Sequence, residues 1–233
     1  MQRGFFMSEK IEFFPIISGL EKIEPIVTAK EFNKNLDFSR EEFSIRSCPG
    51  IRDLINTGYV IPLWQDILIK FSDTQGVDVI PSGNMVDQNG QPFHDIQFHG
   101  ERELAGYSFG NQYFNFTMKI RCPWYVKTQP GTHILLIPSF YNEHPHFTVA
   151  SGIVTSDVYP MILAQVVLKK FKGEILLKKG TPLMQIIAIK SQPELKIHDN
   201  DVTISKGIDK LKNWIYSKMH AASQYRNIKK IFK

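Results

Sequence analysis

The sequence predicts a mainly β chain with an irregular N-terminal arm and an amphipathic C-terminal helix, on three observations. From Tyr59 to Ile189 apolar residues recur with a period of two in short runs. Gly and Pro separate almost all of these runs at short spacing, the pattern of a sandwich or distorted barrel and not of βαβ units. A sustained helical stripe occurs only beyond Ser205.

Residues 1–46 mix short apolar clusters with charged stretches and hold no period, so they read as an arm. A short helix follows over residues 49–56. Ser47 is placed to cap it, Pro49 suits its first turn, and Gly58 can close it in the left-handed conformation. Residues 59–71 then read as one long strand, with Pro62 confining its first part to an edge or bend. Residues 77–81 and 91–98 flank Asp87-Gln-Asn-Gly90, a hairpin signal. Further strands are expected over 114–120, 125–128, 132–137, 147–154, 162–169, 174–177 and 183–189. The body therefore spans residues 47–192, and the last segment, 205–233, is a separate helix. Ser205 is its N-cap, and Ile208, Leu211, Ile215 and Met219 fall on one stripe as a candidate interface.

Composition narrows the classes of function. Of 233 residues, 42% are hydrophobic and 12% aromatic, which excludes a wholly disordered chain. No apolar run approaches the roughly 18 residues of a membrane span, so no membrane partner is expected. The first seven residues do not read as an export signal. Two cysteines, Cys48 and Cys122, are expected as reduced, half-buried thiols in a cytoplasmic setting, with a single disulfide as the alternative. Without a Cys-x-x-Cys pair there is no thiolate zinc site.

The net charge of +5 is unevenly spread. Residues 206–233 carry eight Lys or Arg against Asp209 alone, or +7, which leaves −2 for everything before them. The tail is thus suited to docking on its own body, to pairing with a copy of itself, or to an anionic partner such as DNA.

The stretch from Lys127 to Ile189 carries a resemblance in three ordered motifs. Thr128-Gln-Pro-Gly131 leads into Ile134-Leu-Leu-Ile-Pro-Ser139, then comes Ser151-Gly-Ile-Val-Thr-Ser-Asp-Val-Tyr159, then Lys178-Lys-Gly-Thr-Pro-Leu-Met-Gln185. These resemble the motifs of the dUTPase and dCTP deaminase superfamily. The resemblance implies a β-clip fold, a trimer, and ligand-binding positions at Ser139, Gly152, Asp157 and Gln185. The whole chain, with Cys48-Pro49 ahead of Thr57-Gly-Tyr-Val-Ile-Pro-Leu63, is also similar to a family of uncharacterised tailed-phage proteins, which implies a virion or host-cytoplasm setting and other virion proteins as partners.

The departures from the family's site bear on function. Its catalytic aspartate falls on Thr155, which is no carboxylate base at neutral pH. Its tyrosine falls on Val158, with Tyr159 displaced by one residue and expected on the opposite side of a strand. Pro138 stands where an arginine precedes the motif serine, and Pro182 replaces the arginine of the last motif. The glycine-rich lid and the deaminase glutamate have no counterpart.

Other constellations are thinner. His144 and His146 form a His-x-His beside Glu143, with His94 and His99 elsewhere, whereas a zinc or iron site needs three or four convergent ligands. Asp66, Asp73 and Asp78 read as solvated caps at strand ends. No Gly-x-Ser-x-Gly elbow, P-loop or dinucleotide fingerprint occurs. The expectation is a non-enzymatic structural or interaction protein without a cofactor. A nucleotide-binding protein with a reworked pocket and a histidine-based metalloenzyme are the alternatives.

Overall fold

The computed structural model describes residues 10–17, 25–34 and 48–190, apart from 74–75, 83–85, 88, 91–92, 94–95, 105 and 141–142. The expected C-terminal helix with Ile208, Leu211, Ile215 and Met219 lies outside the described residues, as do Ser47 and His94.

The chain is mainly β, in three antiparallel sheets, and none of them closes into a barrel, one of the two forms that the strand spacing allowed. The first sheet joins β1 (Glu12–Pro15), β7 (Thr117–Lys127), β11 (Met161–Leu168) and β9 (Phe147–Val149), with β6 (Ile96–His99) also on β7. The second runs β10 (Gly152–Val154), β8 (Thr132–Ile137), β13 (Pro182–Lys190), β3 (Tyr59–Pro62) and β2 (Val27–Thr28). The third is β12 (Gly173–Leu177), β4 (Ile67–Ser72) and β5 (Gly76–Pro81). Two short helices, α1 (Ala29–Phe32) and α2 (Pro49–Ile55), accompany them. Ile61, Ile69, Met118, Ile134, Ile162 and Leu177 belong to one shared core. Each such side chain contributes about 1.5–3 kcal/mol on full burial.

The expected strand over 59–71 is two strands in different sheets. Val60 to Gln65 are all buried, so the period of two lapses where the chain leaves one sheet for the next. At the crossing, Leu63 exchanges backbone hydrogen bonds with the segment before β13, its N–H donating to Thr181 O at 2.7 Å and its carbonyl accepting from Gly180 N at 2.8 Å. The run 147–154 divides in the same way, into β9 on β11 and β10 on β8. Conversely, the separate strands expected over 114–120 and 125–128 are parts of the single β7.

Asp87-Gln-Asn-Gly90 does turn, with Asn89 N donating to Asp87 Oδ1 at 2.8 Å and Gly90 N to Asp87 O at 3.0 Å. It joins no strand pair, however. β5 pairs with β4 and β6 pairs with β7, because a turn signal specifies a reversal and not which strands it connects. In the arm, β1 lies along residues 124–127 of β7, and Ile16 and Ile17 are buried beside it. β6 occupies the other half of that edge, against residues 117–120. Pro123 sits between the two partners, where a missing N–H is tolerated, and the β11 register shifts opposite it.

α2 begins at Pro49 with Cys48 as its N-cap, and the Cys48 side chain makes no capping bond. Asn56 ends the helix, and Gly58 two residues on has φ 76°. A Cβ at Gly58 would overlap the Ile186 carbonyl oxygen, so glycine is what lets the chain pass β13 there.

Candidate functional site

The first two motifs meet in space through a pair of turns. Residues 128–131 connect β7 to β8, and residues 155–160 connect β10 to β11. The Thr128 hydroxyl lies 2.6 Å from Thr132 O, to which it donates, and 2.8 Å from Ser156 Oγ. Because Thr128 has one proton, Ser156 is the donor between the two hydroxyls. Gly131, at φ 76°, donates its N–H to Asp157 Oδ2 at 2.9 Å. His133 Nδ1 stands 3.4 Å from the other Asp157 oxygen. The Gly131 N–H, chiefly, and the His133 charge hold the Asp157 carboxyl below the usual carboxylate range. This carboxylate latches two turns together.

Gln185, from the third motif, is almost wholly buried on β13. Its Nε2 donates to Leu54 O at 2.7 Å and to Thr57 O at 2.6 Å, which satisfies carbonyls at the end of α2. Gly152 lies in β10 with open space where a Cβ would project. Thr155 is exposed, and its carbonyl accepts the N–H groups of Val158 (2.9 Å) and Tyr159 (2.7 Å). Val158 and Tyr159 therefore belong to a tight turn, and both are exposed. The expected placement of Tyr159 across a strand from Val158 does not hold, since strand alternation ends at Val154. Asp66 likewise has an internal partner, its Oδ1 accepting from Lys179 N at 2.6 Å.

Ser139 is buried and lines a cleft of about 510 Å³ beside the ends of β8 and β9. Leu135, Ile137, Phe140, Phe147 and Leu183 supply apolar walls, while Tyr113, Glu143, His144, Ser151 and Lys169 supply polar groups. Pro182 is also in the wall. His144 stacks on Phe147 with ring centroids 4.5 Å apart, and its Nδ1 accepts the His146 N–H at 3.2 Å. Burial first, then the charges of His146 and Lys169, push its pKa below the ordinary histidine value. His144 is therefore neutral at pH 7, with Nε2–H as its remaining donor.

The described histidines do not gather into one ligand set. His99 is on β6, its Nδ1 2.8 Å from Glu103 Oε1. Among the described residues no group of three or more His, Cys, Asp or Glu is arranged to hold a metal. Both cysteines are free, and they differ from the half-buried expectation, with Cys48 exposed and Cys122 buried.

Two features escape strand-based reading. One is the exposed apolar set Ile153, Val158 and Tyr159 around the turn after β10. The other is the aromatic segment Tyr107-Ser-Phe-Gly-Asn-Gln-Tyr113, whose closely spaced rings and amides are the signal that could have identified it. No described helix is long and apolar enough to cross a membrane. Compared with protein-family models, with curated proteins and with solved structures, the chain finds no match.

Proposed function

We propose that the chain is a non-enzymatic structural or interaction protein of phage origin, built on a dUTPase-like β-clip body and working as a homo-oligomer. The observation that carries this reading is an apolar rim in which Ile153, Val158 and Tyr159 are 61%, 83% and 43% exposed. They flank the turn after β10, the terminal strand of its sheet, whose outer edge has no partner among the described residues. A second copy seated there buries the side chains and meets the strand edge. The motif resemblance makes three copies the expected number. Thr155 offers no carboxylate base, and Asp157 and Gln185 are committed to backbone partners, which supports a non-catalytic body. Ile208, Leu211, Ile215 and Met219 form a further apolar surface of the same assembly, with the basic face of the tail left for an anionic partner. Sedimentation velocity at tens of micromolar, roughly where modest interfaces saturate, tests the reading. Ile153→Asp with Val158→Asp is expected to shift an oligomer to monomer, and a wild-type monomer overturns the proposal.

The cleft beside Ser139 favours a second reading, a nucleotide held in a reworked pocket, because hydroxyls, Lys169 and His144 share its lining. Saturable binding of dUTP or dCTP in calorimetry, lost in Ser139→Ala, supports that reading. Absence of binding at about 1 mM nucleotide excludes it.

A further inference from the structure

The segment between β6 and β7 presents aromatic rings that the fold does not need. Tyr107 is 60% exposed, although its ring lies only 4.5 Å from that of Phe109. Phe109 in turn contacts Tyr113 at 6.3 Å, in an edge-to-face arrangement. The backbone around these rings is pinned. Tyr107 N donates to Leu104 O at 2.8 Å and Tyr113 N to Gly110 O at 3.1 Å. Phe114 N and the Gln112 carbonyl are hydrogen-bonded to Leu168 and Lys170 at the end of β11. The rings are thus held in place without being buried.

Two depressions adjoin this pair, and both have Leu104, Tyr107 and Phe109 in their linings. One, of about 260 Å³, adds Glu101, Ser108, Asn111 and Asn115. The other, of about 470 Å³, adds His99, Glu103, Thr117 and Gln165. Each therefore combines an aromatic surface with short planar amides, hydroxyls and a carboxylate. Neither lining contains a lysine or an arginine among the described residues. Glu103 is held below the usual carboxylate range, first by its bond to His99 and then by the Gly100 N–H, so it is ionised at neutral pH.

That combination discriminates between ligands. A phosphodiester chain needs cations to neutralise it, and here it would meet carboxylates instead. A purely apolar peptide would take the Glu103 carboxylate and the Asn111 and Asn115 amides out of water without offering them hydrogen bonds in return. A neutral pyranose matches both halves of the surface. Its C–H face packs on an aromatic ring, and its equatorial hydroxyls, lying in the ring plane, meet the amide and carboxylate groups at the rim. Adjacent hydroxyls pair well with a planar carboxylate or amide, which accepts or donates two bonds at once.

We propose that Glu101, Glu103, Tyr107, Phe109, Asn111 and Gln165 form a carbohydrate-binding surface that takes a neutral hexopyranose chain across Tyr107 and Phe109, one sugar in each depression. It shares no side chain with the apolar rim at Ile153 and Val158, but its larger depression also takes in Ala150 and Ser151 just before β10. The two readings are therefore told apart by Tyr107→Ala, which should weaken sugar binding without changing the sedimentation coefficient.

The test titrates the full chain with tetrasaccharides of β-1,4-glucose, α-1,4-glucose and β-1,4-N-acetylglucosamine, and with a twelve-nucleotide oligothymidine. At least one tetrasaccharide is expected to bind saturably at about millimolar concentration. Tyr107→Ala is expected to weaken that binding roughly tenfold, the scale of a lost aromatic contact, while Tyr107→Phe retains most of it. Because Tyr107 is exposed, Tyr107→Ala should leave the thermal transition and the sedimentation coefficient in place. The proposal is overturned if none of the three sugars binds at about 10 mM, or if binding survives Tyr107→Ala and Phe109→Ala unchanged. It is equally overturned if the oligothymidine binds through these residues and displaces the sugar.

Discussion

Asp157 Oδ2, in the turn after β10, accepts the amide of Gly131, in the turn before β8, at 2.9 Å. The folded pKa of this carboxyl lies below its unfolded value of about 3.9. Its contribution to stability is therefore present above that unfolded value and is lost as pH falls through the folded pKa. Asp157→Asn should keep an acceptor for Gly131 but lose this dependence. Melting temperatures of the two proteins, measured from pH 7 to pH 2, should draw together as pH falls below the unfolded carboxyl value and through the lower folded one. Parallel curves over the whole range would show that the carboxylate has no ionic role. Gly131→Ala, forced to the left-handed φ of 76°, should cost about 1 kcal/mol in denaturant unfolding.

Gln185 is expected to behave as part of the scaffold. Gln185→Leu removes the side-chain donor from the carbonyls of Leu54 and Thr57, of which Leu54 O keeps the Thr57 N–H, and should cost about 1–3 kcal/mol, read as a lower midpoint in urea. Gln185→Glu should be worse, because a carboxylate faces two carbonyl oxygens with no proton to share. An unchanged midpoint in Gln185→Leu would return the residue to the candidate ligand set.

The two thiols should separate cleanly by accessibility. Cys48 is exposed, whereas Cys122 is fully buried and its thiol is pushed up far from thiolate formation. Titration with a thiol-reactive disulfide should find one group in the native protein and two in denaturant. Two fast groups in the native state would contradict the placement of β7.

His144 should titrate below the ordinary histidine value of about 6.5, as followed by its ring-proton NMR shift. The sign follows from burial of the neutral ring. The unfolded chain takes up the proton first, so this contribution to stability is complete above the unfolded pKa and declines as pH falls toward the folded one. His144→Phe should keep the stack on Phe147 and flatten that part of the stability profile.

Much of the strand set was legible because side-chain alternation and turn chemistry agree. Thr132–Ile137, for example, lies between Gly131 and Pro138, and its buried and half-buried residues alternate as the period requires. The splits at residues 63–66 and 150–151 were not legible, because an apolar run continues across a change of sheet when both sheets share one core. The candidate site divides along similar lines. Motif spacing located Asp157 and Gln185, but their uses depend on Gly131, Leu54 and Thr57, and sequence distance says nothing of such meetings. Strand periodicity reads rings as core, whereas here a pinned loop holds Tyr107 outward and leaves Phe109 half-buried.

The shared edge of β7 has a consequence for the order in which the molecule assembles. β6 reaches that edge from just upstream in the chain, whereas β1 must return from near the start of the sequence to cover residues 124–127. β1 closes a much longer loop than β6 does, at an extra cost of about 1–2 kcal/mol, so β1 should dock after β6. Until it does, half of the edge is bare, and that half borders Trp124 and Tyr125. Newly made chains are then most prone to stick to one another at this place, and a short peptide spanning Glu12–Pro15 would compete for it.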